Sequence, residues 1–269
     1  MRKIAIVNMK GGMGKTTTAI HVAAGLAGRG QRVLLVDTDP QGNVGHALHV
    51  HPRLTIQDLM AGTSELNEVI VSQVRKGLDV IASNTLSFGL ERQLAAETQR
   101  ETILSRRLRG LRGYDAVIVD SSPAMNLLTF NALLFAEEVV IPVGMDLMAI
   151  IGARQTLNGV REVQELWPDR KLELLAVLPT FVNAATNASS ATMEALEKEP
   201  ELGARLFRPG IRQCVDLTYS TARRQTIWEY APRSRGAEDY NRFLDFIEGN
   251  AGLQEEAAHG KSKKNQAVV

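Results

Sequence analysis

Short apolar runs recur along the chain with room for about one helix between successive runs. Ile4 to Val7, Arg32 to Val36, Ala116 to Val119, Glu138 to Val143 and Leu172 to Leu178 each read as a buried strand. Between them, Ala19 to Leu26, Asn126 to Ala136 and Ala149 to Leu166 carry apolar residues at helical spacing, and Phe88 to Arg109 alternates apolar residues with Arg and Glu in the same way. TIQDLMAG from Thr55 reads as a short capped helix ending at Gly62, and Glu68 to Val71 and Leu78 to Ala82 as two further strand-like pieces. Strands alternating with helices predict an α/β fold, a mostly parallel twisted sheet with helices on both faces. No linker divides residues 1–250, so they are expected to form one domain. From Ala251 to Val269 the periodicity is lost, and Lys261, Lys263 and Lys264 among polar residues read as a disordered basic tail.

The richest chemistry follows the first strand, in NMKGGMGKTTT from Asn8 to Thr18. Strand, glycine loop and helix are the context of a phosphate cradle. Gly11, Gly12 and Gly14 permit turns closed to other residues, so that amides from Gly11 through Met13 to Lys15 converge on phosphate oxygens at a helix N-terminus. Lys15 brings charge to the outer phosphates, and Thr16, followed by Thr17, offers a hydroxyl to a magnesium ion. Two more strand ends deliver carboxylates to the same sheet edge: Asp37 and Asp39 after Val36, and Asp120 after Val119.

The plain P-loop pattern would place a glycine where Met9 stands. With Lys10 ahead of GGMGKTT, the stretch resembles the deviant Walker A box of the ParA/MinD ATPase superfamily. DTDPQGN from Asp37 resembles that superfamily's second signature, YDAVIVDSSP its Walker B element, and SRGAEDY from Ser234 the start of its C-terminal helix. The resemblance covers roughly residues 1 to 250. It implies a P-loop NTPase that binds ATP and Mg2+ and hydrolyses ATP, slowly without a partner. In that scheme Asp39 orients the attacking water, Asp37 supports the magnesium shell and Asp120 holds the ion through water. Lys10 reaches the nucleotide of a second subunit, so that ATP joins a homodimer. The dimer would bind DNA without sequence preference, and a ParB-like or other adaptor protein would stimulate hydrolysis to segregate or position cargo.

The sequence also departs from the family. Ser122 stands where proline is common, and two positions that often carry arginine fall on Ala185 and Asp216. Arg223 and Arg224 are the leading substitutes for a DNA surface, with Arg212 and Arg235 beside them, and Asn183 is a candidate adenine contact. A second reading is a nucleotide-gated switch that binds a protein partner without DNA, as flagellar-number and septum-site relatives do. A dethiobiotin synthetase-like ligase shares the fold, but Lys10 together with DTDPQGN counts against it.

Composition adjusts this picture at a few points. A net charge of +1 over 269 residues gives no global attraction to nucleic acid, so any such binding must come from a local patch. The single cysteine, Cys214, excludes an internal disulfide and the two-cysteine cluster of nitrogenase-type iron proteins. No apolar run reaches the roughly 18 residues of a membrane span, and the tail lacks the apolar face of an anchoring helix. A cytoplasmic protein, nucleoid-associated in its ATP state and without a membrane partner, is expected. His46, His49 and His51 read as surface histidines, and Arg106, Arg107, Arg109 and Arg112 as a solvated helix terminus.

Overall fold

The computed structural model describes residues 1–249. Among them, seven strands form one sheet: β1 (Arg2–Ile6), β2 (Val33–Asp37), β3 (Val71–Arg75), β4 (Leu78–Ile81), β5 (Ala116–Asp120), β6 (Glu138–Gly144) and β7 (Glu173–Thr180). Their spatial order is β3-β4-β2-β5-β1-β6-β7. All neighbours pair parallel except β3 with β4. This is the expected α/β, mostly parallel architecture of a P-loop NTPase.

Strand periodicity of two divides the apolar side chains between the faces. Ala5, Leu34, Val36, Val117, Val119 and Ile141 point to one side, where the helices Leu127–Phe135 and Leu147–Leu166 cover them. Ile4, Ile6, Val33, Leu35, Ile118 and Leu178 point to the other, under the helices Lys15–Gly28 and Arg235–Ile247. Because both faces are covered, the strands read in sequence as unbroken apolar runs.

Two expectations are corrected. The segment Phe88 to Arg109 is not one helix but the pieces Thr85–Gly89, Leu90–Leu94, Arg100–Thr102 and Ile103–Arg107, with Gln99 in a left-handed conformation at φ 53°. The buried Asn131 explains the break. Its Oδ1 accepts from the Leu104 amide at 2.9 Å and its Nδ2 donates to the Arg100 carbonyl at 2.8 Å. A neighbouring helix thus supplies the backbone partners that helix continuation would have supplied. The piece from Glu68 to Val71 is the helical turn Leu66–Val69, and the strand begins only at Val71, as the antiparallel edge.

The capped helix at Thr55 forms as expected, with a Thr55/Asp58 capping box and Gly62 at its C-terminus. The tail from Ala251 to Val269 lies outside the described residues.

Candidate functional site

β1 sits between β5 and β6, so the loop that follows it emerges at the centre of the C-terminal sheet edge. The helix Lys15–Gly28 starts there, and Gly12 and Gly14 take φ values of +75° and +79°. Those conformations require glycine in practice, whereas Gly11 keeps a negative φ and adopts no such turn. The loop's first residues are pinned from outside. Asn8, fully buried, donates to the Pro142 carbonyl at 2.6 Å and accepts from the Lys10 amide at 2.8 Å. The Met9 amide donates to Thr156 Oγ1 at 3.0 Å, and Thr180 Oγ1 donates to the Met13 carbonyl at 3.1 Å. A Cβ at Gly152 would stand 3.0 Å from Lys10 Cβ, so that glycine admits the loop against the helix Leu147–Leu166.

Lys15 is buried, and its Nζ donates to the Lys10 carbonyl at 3.3 Å. Burial lowers its pKa, against the pull of Asp120 and Asp39. Parallel pairing puts Asp37 directly beside Asp120, and Asp120 beside Ile6 at the end of β1. All three aspartates are buried.

Their roles separate by what their oxygens touch. Asp37 Oδ1 accepts from the Asp39 amide at 3.0 Å and Oδ2 from the Val44 amide at 3.3 Å, so its carboxylate shapes the turn that carries Asp39. Gly42 closes that turn at φ +64°, where a Cβ would come within 2.7 Å of the Ser83 carbonyl. Asp39 accepts from the Gln41 amide at 2.9 Å through one oxygen. Neither Asp120 oxygen has a hydrogen-bond partner of good geometry, although the Thr16 hydroxyl is near enough to oppose the shift of its pKa. Burial, reinforced by Asp39, raises the Asp120 carboxyl to about 7. Burial and Asp120 likewise push Asp37 well above the ordinary carboxylate range.

A buried carboxylate with no hydrogen bond of good geometry, approached by a threonine hydroxyl and the Ser121 amide at a phosphate loop, is an arrangement a hard cation satisfies. The residues fit magnesium.

Beside Gly14 and Thr17 lies a cavity of about 770 Å3, walled by residues that include Phe181, Asn183, Gln213, Leu217 and Arg235. Its volume suits a nucleoside, and Asn183 lines it as a candidate base contact. Ser122, at the proline position, donates to Asn126 Oδ1 at 3.3 Å and ties the Walker B turn to the next helix.

The expected basic surface divides. Arg223 and Arg224 are exposed and line a second cavity with His49, His51 and Arg75. Arg212 and Arg235 instead line the cavity beside Gly14. Arg212 is tied to the buried carboxylate of Asp239, through Nε at 2.9 Å, and to Glu238. These two acids, Asp239 foremost, raise its pKa. As a neutralised ion pair it is a poor phosphate contact. The His51 ring lies 5.5 Å from the His46 ring and 5.5 Å from the His49 ring, yet no group of three His, Cys, Asp or Glu side chains that could hold a metal ion exists among the described residues.

Sequence reasoning missed Asp146, whose carboxylate pairs with Lys10 at 2.7 Å, and the pins Asn8, Thr156 and Thr180. An aspartate just before an apolar-periodic run was a readable N-cap signal for the first of these. The others are set by tertiary packing alone.

A family model described as an AAA domain matches residues 1–174. The chain is 38% identical to the sporulation initiation inhibitor protein Soj of Bacillus subtilis over 242 residues, covering 88% of this chain and 94% of that protein. It is 37% identical to the chromosome-partitioning ATPase Soj of Thermus thermophilus, covering 92% and 95%. Among solved structures, cobyrinic acid a,c-diamide synthase from Mycobacterium smegmatis, with a bound ATP analogue and magnesium, superposes with a TM-score of 0.79. That match is 30% identical and covers 97% of each chain. Relatedness over nearly the whole length and a phosphate cradle faced by Asp37, Asp39 and Asp120 lead to one assignment: the chain belongs to the Soj/ParA family of ATPases.

Proposed function

We propose that this chain is a Mg2+-dependent ATPase that dimerises when ATP is bound, binds DNA nonspecifically in that state and is discharged by an adaptor protein of ParB type, so as to segregate or position cargo. The observation that carries the reading is the surface beside the cradle. Lys10 stands at the loop's mouth with a third of its side chain exposed. Next to it the helix Leu147–Leu166 presents Leu147 and Met148 at 63% exposure and Ile151 at 46%. An uncovered apolar patch of this kind supports a second copy closing over the nucleotide, with Lys10 carried to the facing phosphates. Asp120 and Thr16 would hold the magnesium, which neutralises phosphate charge, while Asp39 orients water and Lys15 clamps the outer phosphate.

For DNA, Arg223 and Arg224 are proposed as the contacts, with Arg235 at the cavity rim and Arg212 set aside because its charge is matched. Such binding should fall steeply with salt. Among the described residues no helix is long and apolar enough to cross a membrane.

The experiment is duplex binding with ATP, with ADP and without nucleotide across a salt series. Asp39→Ala traps the ATP state, and Arg223→Glu/Arg224→Glu tests the surface. Retention only with ATP, lost in the double variant, is expected. A trapped dimer that ignores DNA at low salt would instead make the protein-partner switch the working function.

A further inference from the structure

At the end of the sheet opposite the cradle, a concavity of about 720 Å3 opens beside Lys3, at the start of β1. Four arginines line it. Arg106 lies in the last turn of the helix Ile103–Arg107, Arg109 and Arg112 follow at three-residue spacing on the way to β5, and Arg170 lies in the turn before β7. All four are exposed, and none pairs with a carboxylate among the described residues. Arg106 reaches only the Thr98 carbonyl at 3.2 Å, and Arg112 only the carbonyls of Arg109 and Leu111.

Elsewhere many of this chain's arginines are matched, as Arg2 is with Glu138 and Arg154 with Glu199. The other charged side chains lining the concavity, Lys3 and Glu101, already pair with Glu137 and Arg100. Four uncompensated guanidinium groups around one recess focus a positive field that the net charge of the chain conceals.

The rest of the lining mixes the polar side chains of Gln99, Thr102 and Ser105 with an apolar floor. Leu108 and Leu111 are buried beneath it, the Phe135 ring lies 5.5 Å under the Lys3 ammonium, and Trp167 is half-exposed. The combination selects the occupant. A duplex presents a convex, uniformly charged backbone with nothing to place against Trp167. Guanidinium forks match carboxylates in a bidentate manner, and a peptide can bring carboxylates and an aliphatic side chain together.

We propose that this recess docks an acidic segment of a partner protein, with its carboxylates on the arginines and an apolar side chain against the partly exposed Trp167. The site lies at the opposite sheet edge from the nucleotide, so occupancy leaves the cradle free. The inference stands whether or not the DNA-binding reading does.

The test uses the full chain and a fluorescein-labelled octapeptide of sequence EELEELEE, followed by anisotropy at low and moderate salt. Controls are the same peptide with lysine in place of glutamate, and labelled oligothymidylate. The acidic peptide should bind, weaken as salt rises, and lose at least tenfold in affinity in Arg106→Glu/Arg109→Glu, while that variant keeps wild-type ATP hydrolysis. Peptide should also shift the tryptophan emission of the native chain but not that of Trp167→Phe. No binding, an affinity unchanged by charge reversal, or tighter binding of oligothymidylate at the same arginines would overturn the proposal.

Discussion

Lys10 Nζ lies 2.7 Å from an Asp146 carboxylate oxygen, and the same carboxylate caps the helix Leu147–Leu166 by accepting from the Ala149 amide at 2.9 Å. The lysine pulls the Asp146 pKa below its ordinary value. The residue proposed to reach a facing nucleotide is therefore held at home by a side chain of its own subunit. Any move of Lys10 toward a second copy must first break this pair.

Replacing Asp146 by asparagine removes the charge while keeping an N-cap acceptor. A partly exposed pair of this kind contributes about 0.2–1 kcal/mol. Asp146→Asn is accordingly expected to lower the ATP concentration needed for dimerisation by roughly 1.4- to fivefold. Sedimentation velocity across an ATP titration reads this directly. A variant that dimerises at the wild-type ATP concentration would mean that the pair does not restrain Lys10.

Asp120 carries a cost in the nucleotide-free protein. Its native carboxyl, raised to about 7, keeps its proton to higher pH than the unfolded chain does. The stability associated with it is therefore fully present below about pH 4 and is lost as pH rises through about 7. Asp120→Asn should raise the stability of the nucleotide-free protein at pH 8, on the order of 1–3 kcal/mol, while abolishing magnesium-dependent nucleotide binding. Thermal melts with and without Mg-ATP separate the two effects. Equal melting temperatures at pH 8 would refute the strain.

His21 behaves in the opposite sense. Its ring is fully buried, accepts from the Ile227 amide at Nε2 (3.0 Å), donates from Nδ1 to the Thr17 carbonyl (2.7 Å) and stacks on Tyr240 at 4.8 Å. Burial lowers it to about 4, although the Thr17 carbonyl opposes the shift. The unfolded chain takes up the proton first as pH falls, so stability is complete above about pH 6.5 and declines toward pH 4 by up to about 1.4 kcal/mol per pH unit. Nitrogen-15 shifts of the ring should report a neutral Nδ1-H imidazole at pH 5.5. An imidazolium at that pH would contradict the buried arrangement.

What the sequence made legible follows from how locally each feature is encoded. Apolar runs fixed the central strands, and NMKGGMGKTTT, DTDPQGN and YDAVIVDSSP placed Lys15, Asp39 and Asp120 at one sheet edge, because each motif sits directly after its strand. The break between Leu94 and Ile103 depends on Asn131, nearly thirty residues further along the chain, and no local pattern announces it. For the same reason Asn8 was visible only as part of a motif. Its role comes from a carbonyl on β6. Arg212 looked like a free cation in sequence because its partner Asp239 arrives from a helix that packs only in the fold.

The two aspartates of DTDPQGN can be told apart by substitution. Asp37 spends both oxygens on the amides of Asp39 and Val44, so asparagine there would turn an amino group toward one of those N–H donors. The turn carrying Asp39 should shift, and a displacement of about 1 Å costs on the order of a hundredfold in rate. Asp37→Asn is therefore expected to lower kcat by ten- to a hundredfold while leaving ATP affinity within about threefold of wild type. Single-turnover hydrolysis beside equilibrium binding of a fluorescent ATP analogue, each across a magnesium titration, makes the measurement. A parallel loss of magnesium affinity would instead assign Asp37 to the metal shell, and its hydrogen bonds to the turn would then be secondary to that duty.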